Sequence, residues 1–194
     1  VSLEKADGSK LRKVCVGINW GAIEKKGFFG GAKKEAVDLD ASVATYDASG
    51  NLLETVYFGN LKNASRTITH SGDDLTGDMD GDDGLDNEII TLDLDSMPAT
   101  VENIAVVLNS FQGHDFKDIP FASIRLYEGT PTRVDNVLAT YDIANDSKFA
   151  GSVSMILGRV YRHNGDFKFE AIGEPTNDKR LNETLSTFKK HYLR

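Results

Sequence analysis

Between Ser71 and Glu88 the chain carries Asp73, Asp74, Asp78, Asp80, Asp82, Asp83, Asp86 and Glu88, with no lysine or arginine among them. Carboxylates packed this closely repel one another unless a cation sits between them. The interspersed glycines let the backbone curl, and aspartates on short stems can then turn inward from the curl. An all-oxygen donor set of this kind suits a hard cation, calcium first. The competing reading is a solvated acidic run. Zinc is disfavoured because no Cys/His cluster accompanies the acids. Magnesium is disfavoured because it takes few carboxylates and keeps several waters.

The acids do not follow the EF-hand register. Counting from Asp78, Asp80 and Asp82 fall at the third and fifth positions, but the sixth is Asp83 rather than glycine. The twelfth is Ile89, with Glu88 one place early. The flanks alternate like strands, so any calcium held here is held by a connection in a β scaffold.

Two strands are positioned to complete such a site. Along Val37–Tyr46, Val37, Leu39, Ala41 and Val43 share one face, which puts Asp38 and Asp40 together on the other. Along Glu88–Leu94, Glu88 shares a face with Ile90, Leu92 and Leu94, so it points toward the core and needs a partner there. Asp38, Asp40, Asp73, Asp74, Asp80, Asp82, Asp83 and Glu88 together offer more oxygens than the six to eight of one calcium. Two ions are therefore expected.

The remaining pattern is mostly strand. Val14, Val16, Ile18 and Trp20 alternate along Val14–Trp20, with Cys15, Gly17 and Asn19 on the opposite face. Asp47–Asn51 reads as a turn before a partner strand over Leu52–Phe58. Ile104–Leu108 is apolar on both faces and predicts a central strand. Further strands are expected over 121–127, 136–141 and 152–162. A hairpin over Tyr161–Phe169 has Asn164-Gly165 at its turn. The stretch 24–34, rich in lysine and glycine, reads as a mobile loop. Phe28 and Phe29 at its tip either touch a partner or lipid, or fold back onto the core. His114 and Asp115 read as part of an ordinary polar loop. Leu181, Leu185, Phe188 and Tyr192 recur at helical spacing, giving a terminal helical tail over 177–194 capped by Asn177 or Asp178 and laid against a sheet. The expected fold is all-β, a two-sheet β-sandwich with long acidic metal-binding loops and a C-terminal helix, in one domain over 1–194.

Composition narrows the function classes. A net charge of −8 and a pI near 5.0 argue against nucleic acid as a partner. Cys15 is the single cysteine, so no intrachain disulfide forms and a reducing compartment fits.

Val37-Asp-Leu-Asp-Ala-Ser42, the run Gly72–Asp83 with Glu88, and Tyr161-Arg-His-Asn-Gly-Asp-Phe-Lys-Phe169 together resemble the TerD family, the tellurium-resistance and general-stress proteins of bacteria. The resemblance runs from the first strand to the last hairpin. It implies a β-sandwich, a cytoplasmic location, calcium in the acidic loops and a role in resistance to tellurite and other stresses. It also implies the ligands: Asp38 and Asp40 from the strand, with Asp73, Asp74, Asp80, Asp82, Asp83 and Glu88 from the loop. Asp74 stands where the family has asparagine, and Gly84-Leu-Asp-Asn87 reads as an insertion before the glutamate.

The leading expectation is a non-enzymatic calcium-binding module with a protein partner in a stress-response assembly. Calcium-dependent attachment to anionic membrane lipid is one alternative. A metal-dependent phosphoester hydrolase is another, although the sequence sets no base, nucleophile or phosphate-binding arginine beside the acids.

Overall fold

The computed structural model describes residues 10, 12–26 and 32–193. In chain order its elements are β1 (Lys13–Trp20), β2 (Ile23–Lys26), β3 (Ala32–Glu35), β4 (Leu39–Tyr46), β5 (Leu52–Val56), β6 (Ile68–His70), β7 (Glu88–Asp93), β8 (Asn103–Ser110), β9 (Ala122–Thr130), β10 (Arg133–Asp142), β11 (Ser154–His163), β12 (Asp166–Thr176) and α1 (Leu181–Tyr192). Two antiparallel five-stranded sheets result, one in the order β10-β9-β1-β7-β6 and the other in the order β12-β11-β8-β4-β5. The expected β-sandwich is the fold.

Period-two patterning builds the space between the sheets. Val14, Val16 and Ile18 of β1 share a buried cluster with Leu39, Ala41 and Val43 of β4 and with Ile104, Val106 and Leu108 of β8. β8 lies between β11 and β4 and is covered on both faces, Ile104, Val106 and Leu108 by the inter-sheet core and Ala105 and Val107 by α1, as its continuous apolar run requires. At the 163–166 turn, Asn164 and Gly165 both take positive φ, 53° and 84°, the type I′ geometry.

Two expectations change. The stretch 24–34 is not a loop throughout, because β2 and β3 pair as a hairpin with Lys25 opposite Lys33 and an ion pair from Lys25 to Glu35. Charges on both faces hide such a hairpin from any hydrophobic periodicity. Phe28 and Phe29 lie outside the described residues. At the other end, α1 begins at Leu181 after Arg180, with no side-chain cap. Asp178, expected to cap, instead accepts a hydrogen bond from Thr187 Oγ1 at 2.9 Å. Among the described residues, no helix is long and apolar enough to cross a membrane.

α1 packs on the outer face of the second sheet. Leu185 and Phe188 meet Ala44 and Tyr46 of β4, Ala105 and Val107 of β8, and Ile156 of β11. The Phe188 ring sits 5.7 Å from Tyr46 and 5.8 Å from Tyr192. Phe188→Ala empties this fully buried position and is expected to lower the unfolding free energy by about 3–5 kcal/mol, measured by chemical denaturation. A change below 1 kcal/mol would show that the helix is not seated there.

Candidate metal centre

Strand alternation sends Leu39 and Ala41 into the core and leaves Asp38 and Asp40 on the opposite side of the chain. Both aspartates are nevertheless buried, with only 4% and 6% of their surface exposed. Asp38 Oδ1 has no hydrogen-bond partner. Asp73, from the loop between β6 and β7, brings a third carboxylate, and one oxygen from each of the three lies within 4.8 Å of the others. Burial, reinforced by the charges of Asp38, Glu88 and Asp73, pushes the Asp40 carboxyl up to about 8. Burial also raises Asp38 to about 6, with Asp73, Glu88 and Asp74 adding to the effect. These shifts record carboxylates gathered where their charge is not compensated by the protein itself.

A second group forms from Asp78, Asp82 and Asp83, again with oxygens within 4.8 Å of one another. Asn19, on the non-core face of β1, donates from Nδ2 to Asp82 Oδ1 at 2.9 Å, and the Gly84 amide donates to the same oxygen at 2.8 Å. The Asp83 amide donates to Asp78 Oδ2, while Asn87 Nδ2 donates to Asp78 Oδ1 at 2.9 Å.

The loop is fastened along β1 by backbone bonds. The Asp78 amide donates to Trp20 O at 2.9 Å and the Asn87 amide to Ile18 O at 2.8 Å. The Trp20 amide returns a bond to Asn87 Oδ1 at 2.8 Å. The indole of Trp20 donates to Val37 O at 2.7 Å, tying β1 to the residue just before Asp38. Gly77, at φ 64°, lies directly over that indole, and a Cβ there would come within 2.5 Å of the ring. Position 77 therefore excludes a side chain on two counts.

The other expected residues are placed differently. Asp74 Oδ1 accepts from the Thr76 and Gly77 amides, both at 2.9 Å, and so closes a turn. Burial alone would raise its carboxyl, but these bonds hold it below the usual aspartate range. Asp80 is exposed and pairs with Lys34 at 3.1 Å. Neither belongs to the two oxygen groups. Glu88 is fully buried, as its strand parity requires, and its partners come from the protein. Its Oε2 accepts from the Ala41 amide at 3.0 Å and its Oε1 from the Asp74 amide at 3.3 Å. His70 Nε2 faces Oε2 at 3.4 Å, while Nδ1 accepts from the Gly72 amide. That bond assigns the ring proton to Nε2.

The 84–87 segment also has work. Asp86 reaches across β1 to Arg125 of β9, with Nε to Oδ1 at 2.9 Å and to Oδ2 at 3.1 Å. A Cβ at Gly17 would lie 2.0 Å from the Asp86 carboxylate, so only glycine lets that bridge pass. Asp78, Asn19, His70, Asn87 and the Asp86–Arg125 pair were outside the expected ligand set. Asp78 and Asp86 stood in the acidic run, and Asn19 was the polar residue on the non-core face of β1 beside Trp20, whereas His70, Asn87 and Arg125 left no signal.

A family model described as the TerD domain matches residues 1–188. Tellurium resistance protein TerZ of Serratia marcescens is 32% identical over 188 residues, covering 96% of this chain and 91% of the relative. Stress response protein SCP2 of Bacillus subtilis (strain 168) is 33% identical over 189 residues, covering 92% and 90%. The crystal structure of a homologue of telluride resistance protein (TerD) from Streptomyces coelicolor A3(2) superposes with a TM-score of 0.70 at 19% identity, covering 92% of this chain and 95% of that one. At that identity the superposition speaks for the fold.

Glu88→Ala strands the buried amide of Ala41 and the half-buried amide of Asp74. It is expected to cost roughly 1–3 kcal/mol for each stranded donor, read from denaturant unfolding of metal-free protein. Arg125→Met leaves Asp86 buried without its partner and is expected to cost about 3 kcal/mol, the low end for breaking a buried pair because Arg125 is partly exposed. Wild-type stability in either variant would remove these ties from the account of how the loop is held.

Proposed function

This chain belongs to the TerD family, and we propose that it is a non-enzymatic calcium-binding protein of the tellurium-resistance and stress-response type. Its acidic loop takes two calcium ions and, once ordered by them, presents a surface to a protein partner in the cytoplasm. The observation that carries this reading is the buried Asp38, whose Oδ1 has no hydrogen-bond partner and whose carboxylate lies beside two others. A buried anion without a partner costs several kcal/mol unless a cation compensates it.

The donor chemistry fits calcium. Oxygens bound to one calcium at 2.3–2.6 Å lie at most about 5 Å apart, and both groups fall within that span. Asp38, Asp40 and Asp73 would hold one ion, and Asp78, Asp82 and Asp83 the other, with backbone carbonyls and water completing each shell. A bound calcium supplies the charge that the gathered carboxylates lack. Binding rather than turnover is inferred because the ionisable groups beside the acids are engaged with backbone amides, Glu88 with those of Ala41 and Asp74 and His70 Nδ1 with that of Gly72. Leu75 and Leu85 stand 58% and 66% exposed on the same loop, an apolar component for the proposed partner surface.

Calorimetry should find two calcium ions per chain. Asp38→Asn with Asp40→Asn should abolish one site and leave the other. Asp82→Asn with Asp83→Asn should do the reverse. A site held at 100 times its Kd adds about 2.7 kcal/mol, so EGTA should lower Tm by roughly 5–10 °C per site. In EGTA the Asp38/Asp40 double variant should melt above wild type at pH 8 and higher, because it removes two buried carboxyls whose ionisation opposes folding. Failure to bind calcium, with an unchanged melting curve in EGTA after confirmed metal removal, would sink the reading. Sedimentation with anionic vesicles, with and without calcium, tests whether the ordered loop meets lipid instead of protein.

A further inference from the structure

The outer face of the second sheet is only partly covered by α1. Along β4 that face carries Asp40, Ser42, Ala44 and Tyr46, and along β8 it carries Ala105, Val107 and Asn109, with Asp40 opposite Asn109. The helix lies over the apolar half. At its first turn Thr184 Oγ1 accepts from Asn109 Nδ2 at 2.9 Å, and beyond that point the face turns polar and opens into a cleft of about 370 Å³. This volume falls within the range of small-molecule sites.

Three features of the cleft point to one kind of occupant. Its anion-attracting side is the start of α1, where the helix dipole and the uncapped first-turn amides are joined by Lys179 and Arg180. Neither side chain has an ion-pair partner among the described residues. Its flat side is Phe58 and Phe111, which are 37% and 62% exposed, with ring centroids 5.8 Å apart and nearly perpendicular. Exposed rings so arranged offer a stacking face. Its floor holds Asn109 Oδ1, an acceptor on a residue only 6% exposed that has no donor. A ligand that fits brings an anion, a planar ring and a hydrogen-bond donor.

We propose that this cleft binds a phosphomonoester carried on an amino-bearing planar ring, the chemistry of a purine mononucleotide. The phosphate meets Arg180 and the start of α1, the ring meets Phe58 and Phe111, and a ring N–H satisfies Asn109. Asp40 lines the same cleft and belongs to the Asp38, Asp40 and Asp73 group, whose shared negative charge would repel the phosphate. The proposal therefore rests on the calcium reading, because an ion on Asp38, Asp40 and Asp73 cancels that charge. It makes the metal a condition for ligand binding as well as for loop order.

The test is calorimetric titration of adenosine 5′-monophosphate, adenosine and inorganic phosphate into calcium-loaded protein, with calcium binding measured separately. The monophosphate should bind at least tenfold tighter than either fragment, and at least tenfold weaker in EGTA. Arg180→Gln should weaken the monophosphate at least tenfold and leave adenosine unchanged, whereas Phe111→Ala should weaken both. Both residues are exposed, so both variants should melt like wild type. A monophosphate that binds no tighter than its fragments, or equally well in EGTA, or equally well to both variants, overturns the cleft while the calcium reading stands. Absent calcium binding in the separate titration overturns both.

Discussion

Burying carboxylates side by side is the constraint around which this molecule is arranged. Asp38 and Asp40 leave water at the start of a strand whose other face must enter the core, and Asp73 is folded in to meet them. No lysine or arginine is ion-paired with any of the three among the described residues. Burial raises the carboxyls of Asp40 and Asp38, and the charges of Asp73 and Glu88 add to both. In the metal-free protein this opposes folding increasingly as pH rises from the unfolded value near 4 to about 8 at Asp40. The surrounding structure must hold that arrangement against its own repulsion.

It does so with hydrogen bonds from uncharged donors and with ion pairs set away from the three acids. The Trp20 indole on Val37 O, the Asn87 exchange with β1, and the Glu88 carboxylate on the Ala41 and Asp74 amides bind the loop to both sheets. Glu88 bridges the sandwich, since it sits on β7 of one sheet and takes an amide from β4 of the other. Arg125 is ion-paired with Asp86, and Lys34 with Asp80, rather than with the Asp38, Asp40 and Asp73 group. The scaffold thus fixes where the oxygens stand and leaves their charge to something else.

How much of this was legible in the sequence depends on the range of the interaction. Face alternation identified the core faces of β1, β4 and β7, and the burial of Glu88, because a period of two is a local property. The same parity placed Asp38 and Asp40 together. The acid run gave the loop but could not sort its members. Asp74 and Asp80 have the same composition as Asp78 and Asp83, and only the folded path sends Asp74 into a turn and Asp80 to Lys34. A buried carboxylate facing inward also had more than one solution. Glu88 finds backbone amides and a histidine that lies eighteen residues earlier in the chain. The β2–β3 hairpin was hidden for a different reason: it buries too little apolar surface to leave a pattern.

The placement of α1 links the C-terminal end of the chain to the acidic centre. An amphipathic helix laid on a sheet covers only as much of that sheet as its own apolar stripe, here from Leu181 to Tyr192. The outer face of β4 is longer than that stripe, and its uncovered end is Asp40. The same strand therefore supplies a helix-binding surface at one end and a carboxylate at the other, with Ser42 between. Because α1 runs with its N-terminus toward Asp40, the positive end of its dipole faces the most crowded negative charge in the molecule. That orientation favours the acids electrostatically, and it leaves an opening lined by opposite charges, which are the conditions under which a bridging anion and cation can be held together.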